Sequence, residues 1–317
     1  MLTYLIRRLA GAIPRLLLIS LVLFLVVHLP SGGPADIYAA DPSASPQDIE
    51  RLRELWGLNQ PLHVQYAQWV GNVVTGSWGR SFSERRPARA VVSERIVNTV
   101  YLTGGALLFA LIVGIPLGIL GATSRSAVNR YLFQAISVTG ISVPTFWSGT
   151  LVILVFSVYL RWIPTGGMGA SGTPSSVGDL LVHLAAPAIV LGSVYVAQWS
   201  RYVHAGLTEA LQEDYVRTAR AKGASSATVV LRHALPNIAI PFVTVLGLEV
   251  PRMLSGAMVT EVVFAWPGLG RLITDSLLAR DYPVVMGALM VFAVAVVLAN
   301  LLTDLLYGWL DPRIRYD

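Results

Sequence analysis

Few side chains in this chain have types and spacings that could do chemistry. Lys222 is its sole lysine and is followed by Gly223 and Ala224. No G-x-x-x-x-G-K-[ST] loop can therefore cradle the phosphates of a nucleotide. None of the five histidines precedes a glutamate, which removes the H-E-x-x-H zinc arrangement. Gly223-Ala-Ser-Ser-Ala comes nearest to a G-x-S-x-G nucleophile elbow and lacks its closing glycine. Without cysteine there is no disulfide and no thiolate metal site. The expectation is a protein with no catalytic residue, no metal and no cofactor of its own. If ATP drives its work, another polypeptide carries the ATP and Mg and performs the hydrolysis.

One pair stands out. Glu249 and Arg252 lie three apart in an apolar stretch, with Pro251 between them, so they share a helix face. Charges inside a membrane are costly and face a cavity or one another. Two readings follow: a polar lining for a path taken by zwitterionic cargo, or a self-neutralising pair steadying a proline-kinked helix. His183 and His204 read as interfacial hydrogen-bonders rather than metal or proton sites. Asp304 reads as a structural partner of Arg313 or of a cytoplasmic group.

The elements that hold these residues are read from the charge distribution. Charged residues are 13% of 317, about half the roughly 25% of a soluble domain, while 54% are hydrophobic. The uncharged runs between Arg95 and Arg125 and between Arg130 and Arg161 are 29 and 30 residues long. About 20 apolar residues cross a bilayer as a helix. The prediction is an all-α polytopic membrane protein with six transmembrane helices, at about Leu9–Leu29, Asn98–Ala122, Phe133–Leu160, Leu180–Ser200, Asn237–Thr260 and Tyr282–Thr303. Arg7-Arg8 before an apolar run resembles a signal peptide, but His28-Leu-Pro-Ser-Gly-Gly offers no cleavage site. The net charge of +5 does not point to nucleic acid, because no basic block alternates with aromatics on a soluble face.

Orientation follows from basic residues in short segments. With the N-terminus inside, the cytoplasmic side holds Arg7, Arg8, Arg15, Arg125, Arg130, Arg201, Arg217, Arg220, Lys222, Arg232, Arg313 and Arg315. Only Arg161, Arg271 and Arg280 lie opposite. Both termini are thus expected in the cytoplasm. The long external segment Ser31–Arg95 reads as two short helices, Pro46–Trp56 and Leu62–Val74, lying against the outer membrane face or the other spans. In the second span Ala110, Gly114, Gly118 and Ala122 recur every fourth residue, a small-residue stripe for close helix packing within this chain or with a second subunit.

Between the fourth and fifth spans, 201–236 reads as a helix–Gly–helix. Thr208–Lys222 forms the first helix, with Leu207, Leu211, Tyr215 and Ala219 on one stripe and Glu213 paired to Arg217. Gly223 ends it, Ser225 or Ser226 caps the second, and Pro236 closes that one. The apolar stripe is narrow and lacks Trp and Phe, which fits a knob for a partner protein better than a lipid anchor.

Asp214-Tyr-Val-Arg-Thr-Ala-Arg-Ala-Lys-Gly223, followed by Arg232-His-Ala-Leu-Pro-Asn237, resembles the cytoplasmic coupling loop of ABC-importer permeases, more narrowly of the dipeptide/oligopeptide/nickel branch. The general loop reads Glu-Ala-Ala, three residues, Gly, nine residues, Ile-x-Leu-Pro. This chain keeps Ala219, Gly223, Leu235 and Pro236, and carries Arg217, Thr218 and His233 where the general pattern has Glu, Ala and Ile. Further blocks are similar along nearly the whole chain: Leu58-Asn-Gln-Pro, Ser142-Val-Pro-Thr-Phe-Trp, Ile163-Pro-Thr-Gly-Gly, Glu261-Val-Val-Phe-Ala-Trp-Pro-Gly-Leu-Gly270, Arg280-Asp-Tyr-Pro and Leu310-Asp-Pro-Arg-Ile.

The resemblance implies a type I importer permease in the prokaryotic inner membrane. It implies a second homologous permease subunit, two ATP-binding subunits and an extracytoplasmic solute-binding protein that delivers a peptide or similar solute. The ATPase-coupling residues would be Asp214, Tyr215, Arg217, Thr218, Ala219, Arg220, Lys222, Gly223, His233, Leu235 and Pro236. On this basis 1–30 holds the N-terminal tail and first span, 31–95 an external helical insert, and 96–317 the permease core with its loop at 201–236. An ion-coupled secondary transporter or channel, with Glu249, Arg252 and His183 as a proton relay, is the alternative.

Overall fold

The computed structural model describes residues 2–28, 45, 47, 50–51, 54, 59–169 and 172–310. Every element of regular structure among them is helical. The longer α-helices are, in order, α1 (Leu2–His28), α2 (Leu62–Thr75), α3 (Ala88–Thr123), α4 (Ala127–Ser142), α5 (Thr145–Val152), α6 (Val177–Ala210), α7 (Asp214–Ala221), α8 (Leu235–Val263), α9 (Leu269–Leu278) and α10 (Tyr282–Leu310). Five of them, α1, α3, α6, α8 and α10, are long and apolar enough to cross a membrane. The expected helix Pro46–Trp56 lies largely outside the described residues, as do Arg313 and most of the Leu310-Asp-Pro-Arg-Ile block.

The third predicted span is not one straight helix. It divides into α4 and a second piece, α5 with its π-helical continuation Ile153–Tyr159, and the two are bent 107° from one another. Pro144 is the cause. Its ring pushes Val143 out of the helical region to φ −89°, ψ 122°, so the winding stops and restarts. The uncharged run shows that the segment can lie in a membrane, but not that it runs straight.

The chain forms two compact units, one of 1–98 with 268–298 and one of 99–267 with 299–317. In the first, α2 lies along the second half of α1. Tyr66 and Trp69 meet Phe24 at ring distances of 5.4 and 6.2 Å, and Tyr66 Oη pairs with Ser20 Oγ at 2.8 Å. Val27, Val285 and Met286 complete this core. The loop before α3 is tied to the start of α10: Asp281 is fully buried, and its Oδ2 accepts from Ser81 Oγ, from Ser83 N at 3.1 Å and from Ser83 Oγ at 2.7 Å. On the surface Arg86 bridges Glu94 and Glu84, each at 2.9 Å, and its guanidinium titrates above its ordinary value because those carboxylates stabilise the charge.

The core of the second unit gathers buried Trp199 of α6, Leu102, Ala106 and Ala110 of α3, and Phe242 and Met253 of α8, with the Phe242 ring edge-on to Trp199 at 6.2 Å. In lipid no hydrophobic force gathers spans, so they associate by close van der Waals contact through small residues. The stripe on α3 serves this purpose. A Cβ on Gly118 would stand 2.6 Å from the Ser200 carbonyl oxygen, and one on Gly114 would stand 3.3 Å from the Val196 backbone. Gly192 on α6 answers, with only 2.8 Å to the carbonyl of Ala106. The stripe therefore packs within this chain rather than against a second subunit.

The gap that Pro251 leaves in the hydrogen bonding of α8 has a local remedy. Pro251 has no N–H, so the carbonyl of Gly247, four residues earlier, loses its helical donor. Thr303 Oγ1 of α10 lies 2.7 Å from that oxygen and 2.8 Å from the Ala299 carbonyl, its one proton serving both, and Gly247 leaves room for it because any Cβ would collide with Thr303. Replacing Thr303 with isosteric valine strands this carbonyl, an expected loss of about 1–2 kcal/mol, while serine keeps the donor and most of the stability. Unfolding titration of the purified protein measures it; equal midpoints for the valine and serine variants would contradict the bond's role.

Candidate functional site

The helix–Gly–helix sits between α6 and α8, but its boundaries differ from the sequence expectation. The predicted helix Thr208–Lys222 is two helices: α6 ends at Ala210, a turn covers Leu211–Glu213, and α7 starts at Asp214. The turn rotates the stripe. Tyr215 is exposed, and Val216 joins Ala219 and Val229 in a small core closed by Leu211 and Ala224. Arg217 pairs with Asp214 at 3.1 Å instead of with Glu213, because Glu213 stands before the helix as its N-cap residue. An acid in the first turn favours a helix start by its attraction to the helix dipole, and Asp214 carries that signal inside what looks like one continuous period.

The end of α7 is a Schellman motif. Gly223 N donates to the Arg220 carbonyl at 2.9 Å and Ala224 N to the Ala219 carbonyl at 3.1 Å, with Gly223 at φ +83°. Ser225 then caps the next turn, its Oγ accepting from Thr228 N at 3.2 Å. From there Ser226–Thr228 and the π-helical Val229–Ala234 wind directly into α8. Pro236 does not close the second helix. It lies in the first turn of α8, where a missing N–H costs least.

The eleven loop residues fall into two groups. Asp214, Tyr215, Arg217, Thr218, Arg220, Lys222, Gly223 and Pro236 are exposed, with Asp214 and Arg217 side chains 91% and 75% accessible. Ala219 is buried, and His233 and Leu235 are half-buried beneath. A Cβ on Gly223 would meet no described residue within 4 Å. The knob thus offers a braced, polar outer face with free space above its turn.

Glu249 and Arg252 come together as their spacing predicts, Arg252 Nη1 donating to Glu249 Oε1 at 2.7 Å. Their environments differ. The Glu249 side chain is 14% accessible and that of Arg252 is 73%, so one acid holds a guanidinium whose other donors remain open. Tyr195 of α6 stands nearby, its Oη 3.9 Å from where a Cβ on Gly256 would lie. His183 bonds the Asp179 carbonyl at 2.8 Å and its carboxylate at 3.1 Å, and His204 stacks on Phe133 at 4.7 Å. Both histidines are accounted for structurally. Among the described residues no group of three His, Asp or Glu could hold a metal.

Sequence reasoning missed Glu261. It is wholly buried and accepts from Thr99 Oγ1 at 2.6 Å. Its backbone oxygen accepts from Trp266 N at 2.8 Å, bracing the turn that follows α8. An acid at the end of an apolar run reads as a span boundary, and only the absence of any alternation with solvent hinted at burial. Also unforeseen is a recess of about 580 Å3 between α4 and α6, lined by Gln134, Ser137, Gln198, Arg201, Tyr202 and His204.

Among the described residues, helices alone build several apolar spans with a braced polar knob between two of them, the architecture of a multi-pass membrane protein. Residues 114–316 match the family described as binding-protein-dependent transport system inner membrane component, and residues 1–103 match the N-terminal region of such components. The chain is a member of that family. It is 42% identical over 316 residues, all of both chains, to the glutathione transport system permease protein GsiC of Escherichia coli K12. It is 39% identical over 317 residues, again all of both, to the oligopeptide transport system permease protein AppB of Bacillus subtilis 168. Among solved structures, the inward-facing MetNI methionine ABC transporter superposes at a TM-score of 0.56 with 17% identity, covering 71% of this chain and 98% of that one. This is the fold of an importer permease. The chain is a multi-pass inner-membrane permease subunit of an ABC importer; the ion-coupled transporter reading is set aside.

Proposed function

We propose that this permease pairs with a second homologous permease to form one pore, above two ATP-binding subunits and beneath an extracytoplasmic binding protein. ATP and Mg reside on the ATPase subunits. The bent pair of α4 and α5 counts as one span, giving six, with both termini in the cytoplasm. Residues 1–30 form the tail and first span, 31–95 the external insert, and 96–317 the core.

The observation that carries this reading is the knob at 201–236. A short helix ended by a Schellman turn, packed on its own small core, moves as one body with α6 and α8. Asp214, Tyr215, Arg217, Thr218, Arg220, Lys222, Gly223 and Pro236 present the face that enters a groove of one ATPase, over Ala219, His233 and Leu235. Closure of the ATPases then rocks the attached helices between inward- and outward-open states. The cargo is a peptide, in keeping with the glutathione and oligopeptide systems named above. Glu249 and Arg252 line its path: an accessible guanidinium at mid-span is tolerable only in water, and its open fork suits a carboxylate.

Uptake into vesicles holding the assembled complex tests the function. Accumulation of labelled peptide is expected to need both ATP and the binding protein and to survive a protonophore. Accumulation driven by a proton gradient without ATP would overturn it.

A further inference from the structure

Beside the first unit's core lies an open cleft of about 680 Å3, within the size range of ligand sites. Its walls are aromatic, with Phe24, Trp69, Trp78 and Tyr282, and the His28 ring stacks on Phe24 at 4.0 Å. Arg80 and Arg85 supply two cations, and no Asp or Glu is among the described lining residues. Neither guanidinium forms a salt bridge among the described residues; Arg80 Nη2 donates only to the backbone oxygen of Arg85, at 2.6 Å. By contrast, neighbouring Arg86 is held by two carboxylates. Positive charge that no described carboxylate pairs, set on aromatic walls, suits an anion with an apolar body.

The position narrows the choice. His28 ends α1 and Tyr282 begins α10, so the cleft opens where two spans leave the hydrocarbon. Tryptophan and tyrosine favour that depth, and basic pockets between spans bind lipid headgroups. The last turns of α1 also expose Leu18, Val22, Leu25 and Val26, a surface suited to acyl chains and useless to a soluble anion. We propose that the cleft binds the headgroup phosphate of an anionic phospholipid, with Arg80 and Arg85 on the phosphate and the rings against the glycerol region. The outer leaflet follows from the orientation proposed above, whereas the lipid contact does not depend on it.

Native mass spectrometry of the assembled complex in phosphatidylcholine nanodiscs doped with phosphatidylglycerol tests this. Phosphatidylglycerol is expected to remain bound to the parent complex and to fall about thirty-fold in Arg80→Gln/Arg85→Gln, at roughly five-fold per guanidinium near a membrane surface. Arg89→Gln, an arginine outside the lining, is expected to keep it. Should the double variant not assemble, photo-crosslinking of the parent by a headgroup-diazirine phosphatidylglycerol must label the peptide spanning residues 69–85. Equal retention of phosphatidylcholine, retention in the double variant, absence of that label, or displacement by millimolar inorganic phosphate would overturn the proposal.

Discussion

Gly223→Asp in the assembled complex is expected to abolish peptide transport and the transport-coupled share of ATP hydrolysis, while the permease still folds and inserts. The reasoning separates two roles of one glycine. Its φ of +83° favours glycine, but aspartate and asparagine tolerate the left-handed region, so the backbone cost is about 1 kcal/mol or less. No described residue lies within 4 Å of a Cβ at that position. A large functional loss therefore reflects whatever fills the space above the turn, namely the proposed ATPase groove. Gly223→Ala adds the smallest side chain and should lose less transport than Gly223→Asp. Measured side by side, ATP hydrolysis and uptake decide the matter: aspartate at full coupled activity would remove the knob from the coupling mechanism.

Loss of Arg252 is the second large effect. Arg252→Gln leaves Glu249 without its cation in a half-enclosed site, and uptake is expected to fall at least about ten-fold, the ratio that corresponds to roughly 1.4 kcal/mol. The double variant Glu249→Gln/Arg252→Gln distinguishes the two readings of the pair. If the charges only steady the helix around Pro251, removing both together should restore most of the uptake. If they meet cargo, uptake stays low in the double variant although the complex assembles. Transport kinetics with binding-protein-stimulated ATP hydrolysis as a control reads the difference, and the path-lining account predicts the second outcome.

Much of this architecture is legible in the residues because membranes impose a severe rule. Charge is expensive in lipid, so uncharged runs mark most of the spans: α1, α3, α6 and α10 each cover one, while α8 carries Glu249 and Arg252 within it. Where the sequence misled, a polar or proline residue interrupted an even period. Pro144 turns one uncharged run into two helices bent by 107°, and Asp214 restarts the loop helix and brings Val216 rather than Tyr215 inward. Pro236 failed as a stop signal because a π-helical turn feeds straight into α8. The turn at Gly223 and the pairing of Glu249 with Arg252 were visible because both depend on spacing alone. Glu261 with Thr99, Thr303 with Gly247, and the cleft of Trp69, Trp78, Arg80 and Arg85 were not. Each joins residues from separate elements, and one-dimensional spacing carries no distance between them.

In the proposed function, ATP hydrolysis enters this permease through the knob at 201–236. The chain has no cysteine, so Lys222→Cys introduces a single thiol at the exposed end of α7. In inverted membrane vesicles holding the complex, a short bifunctional maleimide is expected to join this residue to an ATPase subunit carrying one thiol beside its groove, and the yield should change when ATP is added. A thiol that is labelled only from the external side, or that never joins the ATPase while the complex transports normally, would contradict the account.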